Sequence, residues 1–361
     1  MTTRRALLAG GGATLALAAA SARAADPNDW TLAPPERQGI DEVALDRILE
    51  TPRGLLLDVM RPIGALRGVA VVRNGFLIDE RYYTPDAGNS TLFPIHSVTK
   101  SVACLLVGVA LAQGRLKGLD QTIGELLPET TSRVSATALK AATLRQILTQ
   151  TTGLPIDAGS AWRLRAENDL AAHVLQSPLE AGNLQHWRYS NAGVSLLSPI
   201  LERAIDGSLE TFARTSLFAP LGIANYAWQR GKQGSVTTAS GLSLSARDVA
   251  KLAWIMIDGG RWRDRQILPA PWVAESVTAR VDPAWSVSPV TDMGYGYLWF
   301  TGALRGRPIF WGWGYGAQFA VAVPSLRLVV ATLAKAPEFA GVGKQNSEIM
   351  SFVSDIVGLA S

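Results

Sequence analysis

The chain has 361 residues, 48% of them hydrophobic and 18% charged, with 34 basic against 30 acidic side chains and a formal net charge of +4. That length lies above the size at which one hydrophobic core stops growing, so one large domain or two closely joined lobes is expected. No long like-charge run or low-complexity tract interrupts it, which excludes a largely disordered chain. Arg4, Arg5 and Arg23 supply three of the four net positive charges, leaving +1 for residues 25–361. This removes the electrostatic case for nucleic acid, which needs a basic stripe to neutralise phosphates.

Residues 1–24 read as a cleavable export signal. Thr3-Arg4-Arg5-Ala6-Leu7-Leu8 leads into an Ala/Gly/Leu run that ends at Ser21-Ala22-Arg23-Ala24. The paired arginines suggest the twin-arginine route. A membrane anchor is the alternative, although the apolar run from Ala6 to Ala20 is short for a span of about 20 residues and holds three consecutive glycines. No later stretch has spanning length, so the expectation is a soluble periplasmic or secreted protein with no stable membrane anchor. The single cysteine, Cys104, rules out an internal disulfide and, flanked by apolar residues, is expected in the core.

In chain order, a helix is expected around Asp41 to Leu49. Two strands follow between Gly68 and Tyr83 around Asn74-Gly75, a dipeptide suited to the positive φ of a tight hairpin turn. After Pro94 the pattern changes to a long apolar helix from Ser97 to about Gln113, stopped by Gly114. From about 115 to 260 the reading is mostly helical, with connections at Thr151-Thr152-Gly153-Leu154-Pro155 and Pro220-Leu221-Gly222. Strands are expected again at Tyr295 to Thr301, Phe310 to Pro324 and Arg327 to Leu333, with a closing helix from Asn346 to Leu359. Sheet-forming segments at about 30–100 and 290–361 would then flank an inserted helical lobe, residues 25–361 making one domain.

Serine is a poor nucleophile at neutral pH and needs a base within hydrogen-bond reach and donors aimed at the developing oxyanion. Ser97-Val98-Thr99-Lys100 places a serine and an amine on one helix face. The helix N-terminus adds partial positive charge and free N–H groups. Lys100 could act as a base if burial brought its pKa from about 10.4 toward 7 to 8. Alone, the motif is equally a helix-capping serine and a snorkelling lysine.

Tyr189-Ser190-Asn191 adds a phenol able to relay protons and an amide able to hold a carbonyl, with a packed tyrosine before a helix cap as the plain alternative. A third element is the strand Trp311-Gly312-Trp313-Gly314-Tyr315-Gly316-Ala317-Gln318, whose glycines let a backbone or a ligand approach closely and whose edge could present a second oxyanion donor. Tyr315, Gly316 and Gln318 are the candidates here, while core packing is the simpler role for Trp311 and Trp313.

Other chemistries lack their residues. No G-x-S-x-G elbow, H-E-x-x-H or G-x-x-x-x-G-K-[ST] stretch occurs. His96, His173 and His186 are isolated, and His96 adjoins Ser97 in a way that points their side chains apart. Neither a metal nor an organic cofactor is expected.

The order Ser97-x-x-Lys100, Tyr189-x-Asn191 and a glycine-rich strand near the C-terminus resembles the serine β-lactamase and D-alanyl-D-alanine peptidase superfamily, in its class C-like branch. Thr143-Leu144-Arg145-Gln146-Ile147-Leu148-Thr149-Gln150-Thr151-Thr152-Gly153-Leu154, Leu217-Phe218-Ala219-Pro220-Leu221-Gly222-Ile223, and Ser240-Gly241-Leu242 followed by Ala246-Arg247-Asp248-Val249-Ala250 agree with it, so that it spans most of Val69 to Ala331. The resemblance implies an α/β (α+β) fold, an antiparallel sheet flanked by helices with a mostly helical lobe, and a site in the cleft between them. It implies Ser97 as nucleophile, Lys100 and Tyr189 as the acid/base pair, and Asn191 as a substrate-orienting amide.

Two departures matter. Gln185-His186-Trp187-Arg188 stands where a Pro-Gly is often found, and Tyr315-Gly316-Ala317 stands where a Lys or His followed by Thr/Ser-Gly meets a substrate carboxylate. Loss of a charge-assisted hydrogen bond would cost about 1.5 to 3 kcal/mol of recognition. The stretches around Ser97 and Tyr315 look more like 6-aminohexanoate-oligomer hydrolases and esterases. The expectation is therefore hydrolysis of an amide or ester in a small molecule or short peptide through an acyl-serine. A class C-like β-lactamase or D-alanyl-D-alanine carboxypeptidase is the near alternative, and a non-catalytic cell-wall peptide-binding protein the distant one.

Overall fold

The computed structural model describes residues 29–53, 63–134, 139–154, 164, 166–179 and 185–360. The export signal expected over residues 1–24 lies outside them. The protein is an α/β fold built on an eight-stranded, mostly antiparallel sheet with helices on both faces.

Strand β1 (Thr31–Leu32) lies parallel to β3 (Phe76–Tyr82), which forms a hairpin with β2 (Leu66–Arg73). Asn74 and Gly75 turn that hairpin at φ 53° and 88°, the left-handed pair the dipeptide favours. Three short strands, β4 (Phe93–Pro94), β5 (Ala227–Trp228) and β6 (Leu242–Leu244), make a separate small sheet. Strands β7 (Arg261–Trp262) and β8 (Arg265–Gln266) form a small hairpin. The main sheet is completed by β9 (Thr291–Tyr295), β10 (Phe300–Leu304), β11 (Arg307–Gly314), β12 (Gln318–Val323) and β13 (Leu328–Ala334). Its order is β1-β3-β2-β13-β12-β11-β10-β9, and the pairing Val330↔Val71 joins strands from the two ends of the chain.

The twofold alternation of side chains along a strand divides the core. Val69 and Val71 of β2 and Leu328 and Val330 of β13 face a cluster with Leu45 and Leu49 of helix α1 (Glu42–Glu50) and Ile349, Phe352, Val353 and Ile356 of the closing helix Val342–Gly358. Ala70 and Val72, with Val329, Ala331 and Leu333, face the opposite cluster. That cluster contains Val98, Val102, Leu105 and Val109 of helix α2 (Val98–Ala112). Each such side chain contributes about 1.5 to 3 kcal/mol by leaving water. Because α2 is enclosed on every side, it is apolar around its whole circumference from Val102 to Ala110, with Cys104 inside it.

Three expected elements differ. Of the apolar run Tyr295 to Thr301, Tyr295 ends β9, Phe300 and Thr301 begin β10, and residues 296–299 between them are a connection. Leu298 takes φ 58° and its N–H bonds to Leu148 O at 3.0 Å, so Tyr297, Leu298 and Trp299 turn into the core beneath α2. The stretch Phe310 to Pro324 is two strands, broken by a turn at Gly316 (φ 75°) and Ala317 (φ 65°). The closing helix begins at Val342 rather than Asn346, which puts Asn346 inside its second turn. No helix among the described residues is long and apolar enough to cross a membrane.

Candidate active site

Ser97 stands at the N-terminus of α2, delivered there by two local devices. Strand β4 pairs with β6 through Phe93↔Leu244, and Ile95 N–H continues the ladder to Leu242 O at 3.0 Å. His96 then takes φ 47°, a left-handed turn that reverses the chain into the helix. The Ser97 hydroxyl makes no capping hydrogen bond, while Thr99 Oγ1 donates to His96 O at 2.6 Å. The helix-cap alternative for this serine is thereby removed.

Lys100 does not snorkel. It is 2% exposed, and its Nζ lies 3.1 Å from Ser97 Oγ, 2.8 Å from Asn191 Oδ1 and 2.7 Å from Ala239 O. Burial pulls its pKa down to about 7, because a desolvated ammonium is disfavoured against the neutral amine. The three partners suit that amine. Two N–H bonds go to the Asn191 and Ala239 oxygens, leaving the lone pair for the Ser97 hydroxyl proton.

Tyr189 approaches from the helical side, its hydroxyl donating to Ser97 Oγ at 2.5 Å. Burial raises its pKa above the usual phenol range, so it is protonated at neutral pH. Ser190 does cap the next helix, Asn191–Ser195, by accepting from Gly193 N–H at 3.1 Å. The capping alternative thus holds for Ser190 and frees its neighbours for the cleft.

The glycine-rich strand does a different job from part of the one expected. A Cβ at Gly314 would sit 2.3 Å from Ile95 O, and one at Gly312 would sit 3.0 Å from Ser101 Oγ and 3.2 Å from Val98 Cγ1. These glycines let β11 lie against the turn that carries Ser97. Tyr315 reaches the cleft and donates from its hydroxyl to Pro337 O at 3.1 Å. Gln318 does not serve the cleft. Its fully buried amide donates to Tyr315 O, Gly316 O and Ala334 O and accepts from Ala334 N–H, tying the β11–β12 turn to β13. Gly316 turns its Cα toward Pro337 and Ala336, and its carbonyl is held by Gln345 Nε2 at 2.9 Å. Both are structural supports of the turn rather than parts of the site.

Ser97, Tyr189 and Asn191 open into a cleft of about 590 Å³, lined also by Ala284, Trp285, Ser286, Trp313, Gly314, Tyr315, Val342 and Asn346. None of these carries a charge. Trp285 lies over Tyr189 with ring centroids 4.6 Å apart and meets Trp313 edge to face at 5.7 Å. Trp311 is core as expected, but Trp313 is a cleft wall. Asn346 is 7% exposed, and its Oδ1 has no hydrogen-bond partner.

Trp285 and Asn346 escape sequence reasoning because a lone tryptophan in a loop and an asparagine in a helix carry no local signal. His96 packs its ring 6.0 Å from that of Tyr315, and burial lowers its pKa. No group of His, Cys, Asp or Glu among the described residues could hold a metal ion.

A helix N-terminus bearing a serine, a buried lysine one turn on and a tyrosine brought in ahead of a second helix, on an antiparallel sheet flanked by helices, define the class of a β-lactamase-like fold. The beta-lactamase family model matches residues 58–351, and the chain belongs to that family. A structure described as a 6-aminohexanoate-dimer hydrolase from Bacillus anthracis matches with TM-score 0.67 and 18% identity over 82% of this chain and 79% of its own. A penicillin-binding protein homologue from Caulobacter crescentus gives 0.65 and 18% over 88% and 99%. A D-stereospecific amidohydrolase from a Streptomyces species gives 0.60 and 16% over 82% and 94%. Beta-lactamase-like protein 2 of Dictyostelium discoideum is 25% identical over 137 residues, so that the chain matches a quarter of that protein's length.

Proposed function

We propose that the protein is a serine hydrolase that cleaves an amide or ester through an acyl-enzyme on Ser97. The observation that carries this is the hydrogen-bonded chain Tyr189 OH, Ser97 Oγ, Lys100 Nζ, with a lysine whose pKa falls to about 7. Ser97 Oγ attacks the carbonyl carbon as its proton passes to the Lys100 amine. When the tetrahedral intermediate collapses, the bond to the leaving group breaks and that group takes the Tyr189 proton, which the Lys100 ammonium replaces. Water then reverses these transfers and releases the acid. Ser97 N–H at the start of α2 and Tyr315 N–H just after β11 are the proposed oxyanion donors, and such a donor lowers the barrier by about 2.7 to 4 kcal/mol.

The uncharged described lining of the cleft supports neutral esters and amides over carboxylate-bearing β-lactams as substrates. Side-by-side rates on a short-chain p-nitrophenyl ester, a linear p-nitroanilide and a chromogenic cephalosporin test this. The ester or amide is expected to turn over fastest, and Ser97→Ala to lose at least a thousandfold in kcat. A cephalosporin rate above both others, or hydrolysis intact in Ser97→Ala, overturns the proposal. Export through a twin-arginine signal to the periplasm is part of it, tested by fusing residues 1–30 to a reporter that is active only after that route.

A further inference from the structure

Gln150 follows the helix Leu144–Thr149 at φ 55° and ψ 44°, a left-handed conformation that glycine takes freely and a glutamine takes at a cost. A glycine there would end the helix more comfortably. What the glutamine supplies instead is visible in its bonds. The residue is buried, and its Oε1 accepts from Ser190 N–H at 2.7 Å, while its backbone carbonyl accepts from Arg188 N–H at 2.9 Å. These two bonds bracket Tyr189, holding the N–H groups of the residues before and after it. The other end of the amide, Nε2, donates to the buried Tyr295 hydroxyl at 2.7 Å, at the end of β9.

We infer that Gln150 is a positioning residue for the site, and this rests on the serine-hydrolase reading above. One side chain ties the segment that carries Tyr189 to the sheet, and it needs an acceptor at one end and a donor at the other, which a primary amide provides. The Tyr189 hydroxyl meets Ser97 Oγ at 2.5 Å, so a small drift of the loop breaks the contact. A misplacement of about 1 Å at such a site can cost about a hundredfold in rate.

The test is a double-mutant cycle on a p-nitrophenyl ester, with Gln150→Met, Gln150→Glu, Tyr189→Phe and the pairs. Gln150→Met keeps the volume and removes both polar ends, so kcat should fall ten- to a hundredfold with KM within threefold. Gln150→Glu keeps an acceptor for Ser190 and should lose less. In the Tyr189→Phe background, either change should cost no more than about twofold, because the group it positions is gone. Full multiplication of the single effects, or an unchanged kcat with only a lowered Tm, overturns the inference. Should Gln150→Met fail to fold, the Gln150→Glu arm of the same cycle carries the test. Retained hydrolysis in Ser97→Ala marks failure of the underlying reading instead, whereas an inactive Ser97→Ala with a multiplicative cycle marks failure of the inference alone.

Discussion

Replacing Lys100 by methionine should change how stability depends on pH, because the lysine is folded into a place that holds it near pKa 7. In the unfolded chain its pKa is about 10.4. Between these values the unfolded state binds a proton that the folded state lacks, so unfolding free energy rises with pH by about 1.4 kcal/mol per unit. Across some three and a half units this amounts to about 5 kcal/mol, absent in full below pH 7 and complete above pH 10.5. The methionine side chain cannot titrate, and all other groups are shared. The difference between wild type and Lys100→Met in urea unfolding, measured from pH 6 to 10, should therefore be flat below pH 7 and climb in favour of wild type above it. Parallel curves through the whole range would show that Lys100 is an ordinary ammonium and remove the base from the mechanism. The rise of kcat/KM with pH should show an apparent pKa near 7 for the same reason.

Gly314→Ala places a methyl 2.3 Å from Ile95 O. It should push the Ser97 turn off β11, destabilise by about 1 to 3 kcal/mol in denaturant titration and lower kcat at least tenfold. Asn346→Leu removes a buried oxygen without a partner. Thermal and urea unfolding should show it more stable by about 1 kcal/mol, while KM for polar substrates rises.

Much of the fold is legible from single residues. Asn74-Gly75 marks its hairpin because two left-handed conformations in a row leave few alternatives. The length of α2 and its unbroken apolar run from Val102 to Ala112 mark a central helix. Tyr297, Leu298 and Trp299 look like a strand because burial on all sides selects the same residue types as a sheet does, and only the tertiary bond to Leu148 O shows them to be a turn.

In the site, Ser97 and Lys100 are readable because one helical turn fixes their geometry. Tyr189 and Asn191 are readable only through their order relative to that pair. The third motif is readable in part: Tyr315 reaches the cleft, while Gly312 and Gly314 serve the packing of β11 on the Ser97 turn and Gln318 serves the following turn. The cleft walls, Trp285 and Asn346, come from segments far from any motif, and their convergence exists only in three dimensions.

The most direct measurement is intact-mass labelling with an alkyl fluorophosphonate, followed by peptide mapping. The mechanism predicts one adduct, on Ser97, that forms faster as pH rises through 7 and is absent in Ser97→Ala. No adduct on the folded wild-type protein, or an adduct that persists in Ser97→Ala, would contradict it.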